Sequence, residues 1–446
     1  MAGLTAAYRL QIDQPQLKVT LLEANDYPGG KILTTDFGGE AGGELATSYY
    51  TAFINLAKEV GVPINTATFE NISKIIYYWS PTREWVKQKD WATWKNNPLP
   101  PELRNISPFM LFPYLAKKLP RPDLNQLFNN PITAEFSKQS LLELLETHSI
   151  PKVTFPFIET YVEINVDISK ISAFSSLIKL WQTPAQFDSI FYYLPEGCQS
   201  LPKKLAEKVE DVHYNQKVSK VEKTDKNTYK ITTEQGKNYE ADYVIFAVPK
   251  EPMSQITLNP GLESIQQKAF DSLCYGPSIK IFYKVSSPFW ETDGLPLTMW
   301  TDTDISFVSP VYDKETRESP FKGSKIWGLC IISAGRNASR IYSKEEQGIP
   351  MHQYCQSILE QIRPATRGCL EHVKTYDWGH FPNVLGSFPY YPPDANIPNY
   401  YKHIAKPSMG RYFAGEHTEC MYKGLNAAVE SGLRAARELS HDLKKL

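Results

Sequence analysis

Apolar residues recur along the chain with two periods. The opening "AGLTAAYRLQ" sets Leu4, Ala7 and Leu10 on roughly one face, the spacing of an amphipathic helix. "KVTLLEA" is β-branched and continuously apolar, which predicts a buried strand ending at Glu23. "NDYPGGK" carries Asn, Pro and two glycines in seven residues and reads as loop. From about 100 to 185 the spacing turns helical. "SLLELLETHSI" there, and "LPKKLAEKV" further on, keep apolar residues three and four apart. Pro-rich joints, "NNPLPPEL" and "LPRPDLNQL", separate these elements. A strand-rich block follows, with "VSKVEK" and two strands around the turn "EQGKN". Next comes "YVIFAV", whose unbroken apolar run suits a parallel strand covered on both faces. "SIKIFYKV" alternates, which predicts a half-exposed strand. The end, "GRYFAGEHTECMYKGLNAAVESGLRAARELSHDL", reads as strand, Gly-containing loop and a long helix from about Leu425.

Interleaved helices and strands of this kind predict an α/β fold. The 446 residues, 42% hydrophobic and 22% charged, have the composition of a globular protein with a large core. Lys and Arg number 48 against 49 Asp and Glu, so no overall electrostatic footprint points to nucleic acid. The six cysteines lack a CxxC pair, which argues against zinc and for reduced thiols in a cytoplasmic protein. No basic segment followed by an apolar run suggests a signal peptide, and no apolar stretch is long enough to span a membrane.

Two spacings carry chemistry. Gly3 precedes Glu23 by twenty residues, with a helix and a strand between them. That is the interval from the last glycine of a G-x-G-x-x-G turn to the acidic residue that binds a ribose. Alone, the pair equally fits ordinary helix–strand packing, and the preceding strand and first two glycines of the motif are absent from this sequence. At the other end, "GRYFAGEHT" runs from a strand to a glycine turn, and the helix near Leu425 then offers a positive dipole end to an anion.

"LLEANDYPGGKILT", with "GGEAGGELATSYYTAFINLAKEVGV" after it, resembles the FAD-binding region of the flavin-containing amine oxidase superfamily. "GRYFAGEHT" and "YKGLNAAVESGLRAARE" resemble the closing signature of the same family. It includes monoamine, polyamine and L-amino acid oxidases and, more distantly, phytoene desaturases and protoporphyrinogen oxidases. The resemblance implies a Rossmann-like FAD-binding domain, its N-terminal strand missing here, with a mixed helix-plus-sheet substrate domain. We expect residues 1–85, 190–262 and 380–446 in the first, and 86–189 and 263–379 in the second.

The resemblance also implies that Gly3, Glu23, Gly30, Lys31, Gly42, Gly43, Leu45, Ala46, Val218, Trp378, Gly415, Glu416, Leu425, Asn426 and Ala427 contact FAD. Lys31 stands where the family usually has Arg, keeping the charge but losing the planar fork. "PSIKIFYKVSSPFW" resembles the segment whose lysine faces the flavin, which makes Lys280 the catalytic candidate. Ser387 stands where monoamine oxidases have the cysteine bonded to FAD, so FAD is expected to be non-covalent. Phe388 and Leu425 stand where those enzymes have two cage tyrosines, so an amine cannot be sandwiched between aromatic faces in the same way. Phe388, Tyr390 and Leu425 are the expected substrate-pocket residues, with Tyr391 and Tyr422 as further candidates. His380 and His417 could act as bases but read better as structural.

The expected reaction is hydride transfer from a carbon next to nitrogen to flavin N5, with reoxidation by oxygen to peroxide. The substrate is an amine or amino acid. The alternatives are a desaturase-like enzyme acting on an apolar substrate and a flavin-fold binding protein without turnover.

Overall fold

The computed structural model describes residues 1–44, 46–68, 74–161, 166–182, 190–314, 325–421 and 423–445. Its largest layer is a seven-stranded sheet. The strand order is Leu370–Asp377, Ser278–Val285, Ile326–Ala334, Phe307–Tyr312, Thr298–Thr301, Ile75–Trp79 and Glu84–Lys87. Neighbours run antiparallel except Thr298–Thr301 beside Ile75–Trp79, which are parallel.

Side-chain alternation gives this sheet two apolar faces. On one, Ile279, Ile281 and Tyr283 join Ala338 and Ile341 of helix Gly335–Glu346 and Cys355 and Leu359 of helix Met351–Ile362. On the other, Lys280 and Phe282 face an internal cavity. The strand Ser278–Val285 is therefore buried from Ser278 to Tyr283, not half-exposed as its alternation predicts. Its polar position faces a cavity rather than solvent. The strands Ile75–Trp79 and Glu84–Lys87 also belong to this sheet.

The helical block expected between about 100 and 185 docks on the cavity-side face of the sheet through a stack of rings. Phe157 lies between Trp79 and Trp300, with both centroid distances 5.0 Å and both interplanar angles under 10°. Within this block, Ser140 and Glu143 form a capping box at the start of helix Leu141–Thr147, each side chain accepting the other's backbone N–H.

The dinucleotide-type layer contains two parallel pairs, Thr20–Leu22 with Asp211–His213 and Val244–Phe246 with Arg411–Phe413. They are separate sheets among the described residues. Helix Ala2–Asp13 lies across both. A Cβ on Gly3 would sit 3.2 Å from the Ala247 Cβ, tighter than most such contacts, so glycine eases the helix's close approach beside the second pair, while Leu21 Cδ1 would stand at an ordinary 3.9 Å. The helix packs along Gly424–Leu443, which closes the chain as a 20-residue helix.

Candidate functional site

Between the two layers lies a cavity of about 650 Å³. Its floor is the inner face of the seven-stranded sheet, and alternate residues supply it: Lys280 and Phe282, Cys330 and Ile332, Phe307 and Ser309, Thr298, and Ile75. Register aligns them, with Lys280 opposite Ile332 and Ile332 opposite Phe307. Lys280 is the one cation on that floor among the described residues, and it is 7% exposed.

The ammonium of Lys280 donates to the carbonyls of Glu40 at 2.8 Å and Gly42 at 3.1 Å, and to Glu44 Oε2 at 3.1 Å. Burial pushes its pKa down, but Glu44, together with smaller contributions from Cys330 and Glu40, outweighs this and holds it above the ordinary lysine value. Trp378 Nε1 donates to the carbonyl between, that of Ala41, at 2.7 Å. Three successive carbonyls of the loop are thus turned onto two side chains from the seven-stranded sheet and its edge. Gly42 and Gly43 are packed as tightly as glycine allows, since a Cβ would meet the Lys31 carbonyl oxygen at 1.8 Å and Leu425 Cδ2 at 2.5 Å.

A second charged cluster sits where the C-terminal helix begins. Lys31 Nζ lies 3.3 Å from Glu416 Oε2, donates to the Ser387 carbonyl and stands 5.1 Å from the ring centre of Tyr275. Glu416 Oε1 accepts the N–H of Gly424 at 2.8 Å, and Gly415 reaches the turn with φ of +123°. Gly424 and Leu425 line the cavity, so the positive end of the helix dipole faces it.

At the other end of the cavity, Glu23 follows the strand Thr20–Leu22. Its Oε1 accepts both the N–H and the side-chain amide of Asn25, at 2.9 and 3.1 Å, and burial raises its carboxyl pKa. Val218 lines the same end.

Of the residues expected to contact FAD, Glu23, Gly30, Lys31, Gly42, Gly43, Val218, Trp378, Gly415, Glu416 and Leu425 converge on this one cavity. Gly3 lies behind it, in helix packing. Ala46 is buried in a short strand opposite Tyr192, and its neighbour Thr47 reaches the wall instead. Asn426 is turned away from the cavity and accepts the Phe53 N–H at 3.1 Å, and Ala427 is buried beside it. Leu45 and Tyr422 lie outside the described residues. Phe388 lines the cavity, with Lys423 Nζ 5.0 Å from its ring centre. Tyr390 does not line it, since it pairs with Cys274, and Tyr391 is buried in the core. Tyr275, opposite Pro389 in the same antiparallel strand pair, takes the wall position. Sequence reasoning missed Tyr275, Glu44, Glu159 and Tyr161, all on the wall, and most of the floor.

The family model described as flavin containing amine oxidoreductase matches residues 1–440. The chain belongs to that family. It is 23% identical to amine oxidase [flavin-containing] B of Homo sapiens over 475 residues, covering 100% of this chain and 85% of that one. Against the L-amino-acid oxidase of Bungarus fasciatus it is 25% identical over 466 residues, covering 100% and 86%. The fold is similar to that of cyclohexylamine oxidase from Brevibacterium oxydans, with a TM-score of 0.79 and 17% identity over 99% of this chain and 97% of that one. A putrescine oxidase variant redesigned in its cofactor binding gives a TM-score of 0.80 at 19% identity, with the same coverage. The chain is therefore an FAD-dependent oxidoreductase of the amine oxidase type, acting on a small molecule. The residues present fit FAD: a buried carboxylate follows a parallel strand at the cavity wall, a glycine-lined loop admits no Cβ, and a helix N-terminus meets the cavity.

His417 and His380 differ sharply. His380 is exposed and paired with Asp377 at 2.7 Å. His417 is 4% exposed, and burial, then Lys31 and Arg434 against the opposing Glu416, pushes its pKa down to about 3. Such a ring lines the cavity and stays neutral through the working pH range. Because the unfolded chain takes up this proton near pH 6.5 and the native one near 3, its stabilising share is intact above 6.5 and is lost as pH falls towards 3. Chemical denaturation at pH 7 and pH 5 should show the native protein losing about 2 kcal/mol more than His417→Gln. Parallel pH dependence of the two would refute the assignment.

Proposed function

We propose that this chain oxidises a small amine or amino acid carrying an apolar group, using non-covalently held FAD and oxygen as electron acceptor. The chemistry FAD supplies when bound is acceptance of a hydride from the carbon next to the substrate nitrogen. The observation that carries this reading is the single buried ammonium of Lys280 on an otherwise uncharged floor, beside the glycine loop. Its positive charge, fixed in a site from which water is largely excluded, favours electron transfer to oxygen, because negative charge develops on the way to peroxide.

Floor and wall exclude water through Ile75, Phe307, Ile332, Phe109 and Tyr161, and they suit an apolar substituent. With Phe388 on one side and Leu425 on the other, the substrate nitrogen is held by position rather than between two ring faces. A covalent flavin bond is disfavoured for two reasons. Ser387 presents a hydroxyl that already donates to the Gly276 carbonyl at 2.8 Å. Cys330, the thiol on the floor, is pushed up to about 12 by burial and stays protonated.

A peroxide-coupled screen of amines, amino acids and diamines on flavin-loaded protein tests the substrate class, and absence of peroxide with all of them would remove oxygen as the acceptor. Lys280→Met should slow reoxidation of the reduced protein by oxygen at least about tenfold, equivalent to roughly 1.4 kcal/mol in the barrier. Stopped-flow reoxidation measures this directly, and an unchanged rate would remove Lys280 from the oxidative half-reaction.

A further inference from the structure

An ammonium has three protons. All three of Lys280 are donated to one five-residue segment: to the carbonyls of Glu40 and Gly42, and to the carboxylate of Glu44. Two of these acceptors are backbone and fixed by the loop. The third is a side chain, 42% exposed, that lines the cavity and meets Lys280 at 3.1 Å. The nearby carboxylate of Glu40 points elsewhere, accepting the N–H of Cys198 and the hydroxyl of Thr34, each at 2.9 Å. The backbone of Glu44 is held independently, its carbonyl accepting the Cys198 thiol at 2.9 Å. The carboxylate can therefore be removed without releasing the loop.

We propose that Glu44 is a positioning residue that pins Lys280 against the glycine loop and offsets the lysine's charge, setting how much positive field reaches the cavity. This rests on the reading that FAD occupies that cavity. With Glu44 present, Lys280 has no proton left for a group in the cavity, and its charge is partly cancelled from within it. Without Glu44, one N–H and more of the charge turn towards whatever is bound there, with the more distant Glu40 carboxylate still opposing it. Glu44 thus restrains the chemistry that Lys280 promotes, and its contribution runs through the lysine rather than through direct contact with substrate.

Sulfite tests this at equilibrium, without turnover. It adds reversibly to oxidised flavin as an anion, so its affinity reports the positive field at the ring. Flavin-loaded wild type, Glu44→Ala, Glu44→Gln, Lys280→Met and the two double variants are titrated by loss of the visible flavin band. Glu44→Ala should bind sulfite at least about tenfold tighter than wild type. Glu44→Gln, which keeps an acceptor without the charge, should fall between them. Both gains should vanish in the Lys280→Met background, because contributions acting through one partner are not additive. If Lys280→Met retains no flavin, Lys280→Gln, which keeps two N–H donors for the loop carbonyls, replaces it as the background. Sulfite affinity within twofold of wild type in Glu44→Ala overturns the proposal. So does a tenfold gain that persists without Lys280, since Glu44 would then act on the anion directly. Failure of wild type to take up FAD would instead refute occupation of the cavity, a separate result.

Discussion

Gly42→Ala should abolish flavin binding while leaving the fold in place. The new Cβ would lie 1.8 Å from the Lys31 carbonyl oxygen and 2.8 Å from its carbon, and no rotamer of a methyl group relieves a clash with backbone. Either the loop or the Lys31 strap must move. Both are engaged: Gly42's own carbonyl accepts from Lys280, Ala41's from Trp378, and Lys31 bridges Ser387 to Glu416. A shift at Gly42 therefore propagates to the floor lysine and to the start of the C-terminal helix together. We expect FAD affinity to fall well over tenfold, more than about 1.4 kcal/mol, read from the flavin-to-protein absorbance ratio and from a fluorescence titration with added FAD. Gly30→Ala is the comparison. Gly30 also lines the cavity, but its Cβ would meet nothing within 4 Å, and only its φ of +60° opposes the substitution. That costs about 1–2 kcal/mol of backbone strain and should leave flavin largely bound. Equal loss in both variants would show that Gly42 matters as a glycine turn and not as a close approach.

The contrast between these two glycines marks how far the sequence could be read. Both stand in quoted motifs, and the motifs located the cavity correctly from its two ends: Glu23, the glycine loop and Gly415–Glu416 are local signatures, each carried by a few consecutive residues. The floor was not legible in this way. Lys280, Ile332 and Phe307 share a row only because three strands pair in a particular register across some fifty residues of chain. Which of two neighbouring residues faces the cavity was not legible either. Tyr390 was expected on the wall, and Tyr275 stands there; it pairs with Pro389, the residue next to Tyr390, and neighbours in a strand point to opposite faces. Leu425 faces the cavity while Asn426, one helical step on, turns to Phe53. The alternation in "SIKIFYKV" was visible, but a polar residue facing an internal cavity looks the same in sequence as one facing water.

Arg363→Met should be the most destabilising single change outside the cavity, by about 3–5 kcal/mol, because it breaks the support behind the floor. Arg363 is 1% exposed. Its Nε and Nη2 form a fork onto Asp293 at 2.8 and 2.9 Å, and its remaining donors reach the carbonyls of Leu295 and Pro296, both at 2.8 Å. The guanidinium also lies 4.8 Å from the ring centre of Phe289 and 3.4 Å from the sulfur of Met299. Met299 belongs to the strand whose preceding residue, Thr298, lines the cavity, so this arginine clamps the back of a strand whose front is functional. Burial pushes the Asp293 carboxyl up, but the hydrogen bonds and charge of Arg363 outweigh it and keep Asp293 below the ordinary carboxylate range. Methionine fills much of the volume yet takes the charged partner from that carboxylate, leaving it the Leu295 N–H at 3.0 Å, and leaves two carbonyls without their donor. The double variant Arg363→Met with Asp293→Leu removes both charges and should recover part of the loss, since paired deletion of a buried ion pair costs less than stranding one member. Urea denaturation of the wild type, the single variant and the double variant measures the three values. A single variant within about 1 kcal/mol of wild type would show that the pair is screened like a surface one and that packing of the two helices alone holds the back of the sheet.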